Sequence, residues 1–198
     1  MGEGGRAARK RAARRTRAVV LALQIFCCGI PGKGESSASM EMKRKAGFVA
    51  KMLHFVDWPA EGSEARQTAF RFCVAGDGFL SFAFSEELRG TNLRGREVEV
   101  RTVQKDGGLD GCEAIYFAGS GKAANEKWLQ KLKGGSVLTF GEEKGFLEEG
   151  GMVRITYANG NVQFEVNLDC VRSAGLKINS RLLALAKGVT KTGRPVSN

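Results

Sequence analysis

The chain has 198 residues, 42% of them apolar, and a formal charge of +10 from 31 Lys and Arg against 21 Asp and Glu; this suits one globular core with a terminal appendage. A basic excess of that size fits a nucleic-acid binder only if it lies on the folded body. It does not: residues 1–38 hold eight of the basic residues and two acidic ones, Glu3 and Glu35, leaving 23 against 19, or +4, for the remainder. No nucleic-acid partner is expected.

The first element in chain order is an export signal. A basic stretch ends at Arg17, an apolar run of about eleven residues covers 18–28, and small polar residues fill 32–39, the three-zone layout of a secretory signal. The apolar run is too short for the roughly 20 residues of a lasting membrane anchor. Ser36 and Ala38 stand at the −3 and −1 positions of a cleavage after Ala38. The expected division is therefore a signal peptide over 1–38 and a folded domain over 39–198, with a membrane-surface helix or an uncleaved anchor as the alternative.

An amphipathic helix is predicted over 40–56, where Phe48, Val49, Met52, Leu53, Phe55 and Val56 recur at helical spacing. Pro59 ends it, and 60–68 is a polar loop. An apolar strand over 70–75, a helix over 79–88 and an alternating strand over 97–103 follow. The pattern repeats as strand 113–118, helix 122–132 and strand 136–140. Such alternation predicts an α/β fold, a mostly parallel sheet of βαβ units in a Rossmann-like three-layer arrangement. After Gly150, segments 152–157 and 162–166 flank Asn159-Gly160, the pair favoured in a type I′ turn, so a C-terminal antiparallel hairpin is expected. Asn179 caps a last helix lined by Leu182, Leu185, Ala186 and Val189, and 190–198 reads as a frayed tail.

The candidate chemistry is thin. Gly76-Asp77-Gly78 follows a strand and opens a helix, but Ser81 stands where a dinucleotide fingerprint carries its third Gly. Gly119-Ser120-Gly121-Lys122 resembles the end of a phosphate loop, yet Tyr116 replaces its first Gly and Ala123 its magnesium-binding hydroxyl. Tight turns account for both. The only histidine is His54, on the polar side of the first helix, so no Ser or Cys nucleophile has an evident base. No Cys/His spacing suits zinc. The doublets Glu86-Glu87, Glu142-Glu143 and Glu148-Glu149 read as solvated surface. No catalytic residue, cofactor or metal is expected.

Beyond the export signal lie Cys73, Cys112 and Cys170. An oxidising compartment permits one disulfide and leaves one thiol over. Cys73 sits inside the first sheet strand and Cys112 just before the third, elements that βαβ winding can bring side by side; a bond there stabilises by roughly 3–4 kcal/mol. Two buried free thiols are the alternative. Cys170 reads as a small core residue in a short helix.

Many short motifs in register resemble the YfiR family. They open with Lys45-Ala46-Gly47-Phe48, Phe55-Val56-Asp57-Trp58-Pro59, Phe70-Arg71-Phe72-Cys73-Val74 and Gly76-Asp77. Gly111-Cys112-Glu113, Val137-Leu138-Thr139, Gly145-Phe146, Gly150-Gly151-Met152 and Phe164-Glu165-Val166-Asn167-Leu168 follow, then Ala174-Gly175-Leu176-Lys177-Ile178 and Ser180-Arg181-Leu182-Leu183. The resemblance covers about residues 41–188. It implies a periplasmic α/β protein that dimerises and represses a membrane-bound diguanylate cyclase of the YfiN type by binding its periplasmic region, which lowers cyclic di-GMP.

Carried onto this chain, the resemblance makes Cys73 and Cys112 a structural disulfide. A second disulfide of the best-known member has no counterpart, since 138–152 lacks cysteine. It also implies a small aromatic or nucleotide ligand near Lys177, Asn179 and Arg181. Partner contact is expected from apolar residues of the first helix, Phe48, Met52 and Phe55. The competing readings are a periplasmic small-ligand sensor for another membrane partner, signalled by an aromatic-lined pocket, and a nucleotide enzyme using the turn from Gly76 to Ser81.

Overall fold

The computed structural model describes residues 36–59, 68–76, 78–104, 107–119, 121–191 and 194–196. The chain divides into a unit ending at Glu35 and a unit from Ser36 to Asn198; the first, with most of the expected export signal, lies outside the described residues. In chain order the second unit contains α1 (Ser37–Leu53), β1 (Val56–Asp57), β2 (Phe70–Gly76), α2 (Gly78–Leu88), β3 (Asn92–Leu93), β4 (Arg96–Val103), β5 (Ala114–Ala118) and α3 (Lys122–Leu132). Then come β6 (Leu138–Gly141), β7 (Val153–Ala158), β8 (Asn161–Asn167), α4 (Leu168–Ser173), β9 (Lys177–Ile178), α5 (Ser180–Leu183), β10 (Gly188–Lys191) and β11 (Arg194–Val196).

α1 starts earlier than its apolar period predicts, because the Ser36 hydroxyl accepts from the Ser39 N–H at 3.2 Å and caps it. The expected boundary after Ala38 thus falls within the first turn of the helix. Ala46, Val49, Ala50, Met52 and Leu53 form its buried stripe. Gly47 lets α2 come close, since an added Cβ would stand 3.0 Å from the Glu87 carboxylate.

Nine strands form one sheet in the order β11-β10-β8-β7-β6-β5-β2-β4-β3, and β1 pairs with β9 in a separate ribbon. The centre, β4-β2-β5-β6-β7, is parallel throughout. β3–β4, β7–β8 and β10–β11 are antiparallel, so the sheet is mixed and the expectation of a mostly parallel one holds only for its middle. Asn159 and Gly160 both take positive φ, 53° and 77°, as a type I′ turn between β7 and β8 requires.

The two βαβ units wind in opposite directions from the centre, β2-α2-β4 outward to one side and β5-α3-β6 to the other. Their helices therefore cover opposite faces. Phe70, Phe72 and Val74 of β2 join the core under α1 and α2, whereas Cys73 and Ala75, pointing the other way, pack with Trp128 and Leu129 of α3. Three layers exist here. Over β7 and β8 the α3 face carries instead the ion pair Arg154–Glu165, each side chain about a quarter exposed.

The C-terminal expectation needs correction. α5 is a single turn, Leu185 is 75% exposed, and Val189 belongs to β10, paired in parallel with Val166. The Lys187 N–H reaches the Phe164 carbonyl at 2.9 Å and begins a ladder along the edge of β8. That edge would otherwise present unpaired backbone groups, and satisfying them outweighs the weak helical period of the sequence. Residues expected to fray contribute β10 and β11.

Candidate functional site

Pairing of β2 with β5, Phe72 opposite Ala114, carries Cys73 to Cys112. The two form a disulfide with a Cα–Cα separation of 5.8 Å, and both are buried. Directly after it in the chain, Glu113 receives two hydrogen bonds from the buried Arg96 guanidinium at 2.6 and 2.7 Å. Arg96 also donates to the Thr68 and Ala69 carbonyls at 2.7 and 2.9 Å. Trp58 stacks edge-on to Phe70 and donates its indole N–H to the Glu113 carbonyl at 3.3 Å. Removing one partner of such a buried pair costs about 3–5 kcal/mol, because the other charge is stranded. These bonds tie β4 to the chain entering β2 and β5 at this end of the sheet.

A second buried polar network lies under α1. Lys45 contacts both Glu41 and Glu142 at 2.5 Å, and the Tyr116 hydroxyl donates to Glu142 at 2.7 Å. Burial opposes the charge on Lys45, but the hydrogen bonds to Glu142 and Glu41 prevail and hold its pKa above the ordinary value. Burial, reinforced by the Glu142 charge, pushes the Tyr116 hydroxyl well up. Glu142, expected as solvated surface, is instead bound by Lys45 and Tyr116. Glu149 departs from that expectation too, being nearly buried and held by Lys122 at 3.2 Å.

The expected ligand and partner residues meet only in part. Lys177 lies on β9 opposite Asp57 of β1. The Asn179 side chain caps α5 by accepting from the Arg181 N–H at 2.9 Å, while the Asn179 N–H donates to the Phe55 carbonyl at 2.9 Å. The ribbon therefore places Phe55, 44% exposed, beside exposed Lys177, Asn179 and Arg181. Met52 is a correction: it is 2% exposed and belongs to the core, because the buried stripe of α1 runs through it. Phe48 is half-buried, its ring 5.4 Å from that of Phe164. Of the expected partner residues only Phe55 is openly presented.

The most exposed aromatic rings lie elsewhere. Phe79 and Phe82 of α2 are 79% and 67% exposed, one turn apart, and together present on the order of 300 Å² of ring surface. Their signal was in the sequence: residues 79–84, Phe-Leu-Ser-Phe-Ala-Phe, place apolar side chains all round the helix, and such a helix wants cover on both sides.

The described residues next to the two glycine turns are engaged within the chain. Ser81, in the third-glycine position, is buried with its hydroxyl 2.6 Å from that of Thr102, so a side-chain bond ties α2 to β4 where a dinucleotide fold uses a bare Gly for close helix–strand packing. Lys122 engages Glu149 and Glu126 at 3.2 and 3.8 Å. Asp77 and Ser120 lie outside the described residues.

Gly145-Phe146 and Gly150-Gly151-Met152 have a packing purpose. The Phe146 ring sits between Gly141 and Gly151, where an added Cβ on Gly141 would stand 2.6 Å from it and one on Gly151 closer still. The Met152 N–H reaches the Thr139 hydroxyl and the Asn167 amide reaches the Leu147 carbonyl, each at 3.0 Å. The loop that lacks a second disulfide is pinned non-covalently. Cys170 is half-buried and reduced; burial, aided by Asp169 and opposed by Lys133, raises its thiol pKa. It borders a cavity of about 580 Å³ between α3 and α4. Among the described residues no group of His, Cys, Asp and Glu could hold a metal ion. A family model described as YfiR/HmsC-like matches residues 42–187, from within α1 to the residue before β10.

Proposed function

Because the chain belongs to the YfiR/HmsC-like family, whose model spans 42–187, we propose that it is an exported, non-enzymatic regulator. It binds the periplasmic region of a membrane-bound diguanylate cyclase as a homodimer and represses it, lowering cyclic di-GMP. The observation that carries this reading is the family match across nearly all the described domain. The buried Cys73–Cys112 disulfide supports an oxidising compartment, and the exposed Phe79 and Phe82 of α2 supply an apolar patch of the size used for partner contact. The partner surface then centres on α2 rather than on α1.

The test is cyclic di-GMP in the native bacterium with the gene deleted and then complemented. Deletion raises the level, wild type restores it, and neither Cys73→Ser nor the exposed-site variant Phe82→Asp does. An unchanged level on deletion, under conditions where the protein is expressed, refutes the cyclase reading. Full rescue by Phe82→Asp refutes the α2 surface alone. A ligand sensor for another membrane partner is the second reading; the cavity bordered by Cys170 gives it room for a small molecule, without the aromatic lining expected of it.

A further inference from the structure

The α3 face of the sheet is covered unevenly, and the cavity of about 580 Å³ opens where the cover stops. The end of α3 and the turn at Gly134-Gly135 form one wall, residues of β6 and the approach to β7 lie beneath, and α4 closes the far side. That volume lies within the roughly 300–1,000 Å³ of small-molecule sites. Leu129, Leu132, Val137, Met152 and Ala174 line it, and no aromatic ring does. An adaptable thioether and branched aliphatics suit a flexible chain better than a flat ring.

The polar groups on the lining divide into two classes. Asn167 is committed through both ends of its amide, to the Leu147 carbonyl at 3.0 Å and the Cys170 N–H at 3.1 Å. Thr139 accepts from the Met152 N–H, Glu149 is neutralised by Lys122, and Asp169 is engaged within the chain. By contrast, the side chains of Lys133, Gln130 and Ser173 have no hydrogen bond or ion pair among the described residues. The lining therefore offers a cation, an amide and a hydroxyl above an aliphatic floor.

We propose that this cavity binds a medium-chain aliphatic carboxylate, its chain against Leu132, Val137, Met152 and Ala174 and its carboxylate on Lys133, with Ser173 and Gln130 donating to it. The assignment stands on the cavity and does not depend on which protein the chain regulates. Cys170, on the same lining, is a built-in reporter.

Decanoate is titrated into the full chain by calorimetry while Cys170 alkylation by iodoacetamide is followed by mass spectrometry. The expected result is saturable one-to-one binding that slows alkylation several-fold. Lys133→Glu, an exposed position, weakens binding about tenfold or more, the loss of one charge-assisted contact. Decyltrimethylammonium, with the same chain and the opposite head charge, binds much more weakly. The proposal is overturned if decanoate gives no saturable binding, leaves alkylation unchanged at high concentration, binds Lys133→Glu as well as wild type, or binds no better than the ammonium compound.

Discussion

Phe146 permits a quantitative test of how the loop over 142–152 is held without a second disulfide. Gly141→Ala places a methyl group against the ring, the nearest atoms to the new Cβ all belong to that ring, and no positive φ at Gly141 complicates the change. Overpacking of this kind costs about 1–3 kcal/mol. Phe146→Ala removes a fully buried ring that packs 5.7 Å from Phe117, and such truncations cost about 3–5 kcal/mol. In the double variant the vacated slot accommodates the new methyl, so the Gly141→Ala penalty should largely disappear. The expected coupling is about 1–3 kcal/mol, well outside the ~0.5 kcal/mol within which independent sites add. Urea unfolding with the Cys73–Cys112 bond intact reads it, since slopes of about 1–3 kcal/mol per molar turn each kilocalorie into a midpoint shift of roughly 0.3–1 M. Additive penalties would show that the ring and Gly141 do not share the slot, and the pinning argument would fail.

The remaining predictions concern the disulfide and the network under α1. With a sequence separation of 39 between its cysteines, the Cys73–Cys112 bond should stabilise by about 4 kcal/mol on the chain-entropy model, so Cys73→Ala/Cys112→Ala should lower the urea midpoint by about 1–4 M; a change below a quarter of that would mean the unfolded chain is already held compact. Lys45 and Tyr116 both keep their protons in the folded state beyond their ordinary values of 10.5 and 10.0. Their contribution is therefore complete below pH about 10 and is lost as the pH rises through the folded values. In a pH series of unfolding midpoints Tyr116→Phe should flatten the alkaline decline, and an unaltered slope would count against Tyr116 as one of its sources.

How far the sequence was legible depends on how local the cause of each element was. α2, β2, β4, β5 and α3 match the predicted segments to within a residue or two, because apolar period and flanking Gly and Pro act over a few positions. The hairpin at Asn159-Gly160 followed for the same reason. β1, β3 and β9, two residues each, carry no period to detect and exist because a neighbour supplies hydrogen bonds. Met52 and Phe55 looked alike on the helical pattern, yet one is core and the other faces solvent, which only the packing of α1 against the sheet could assign.

By itself, then, the sequence determined the α/β class, the central parallel strands, the Cys73–Cys112 candidate pair and the family, all properties written in residue type and spacing. Tertiary structure decided that the sheet is mixed, that Val189 joins a strand, that Glu142 and Glu149 are bound rather than solvated, and that Phe79 and Phe82 are more exposed than Phe55. It also decided that a cavity exists between α3 and α4. These outcomes turn on which backbone edges and side-chain faces remain unsatisfied once the core has closed, and that sum runs over residues far apart in the chain.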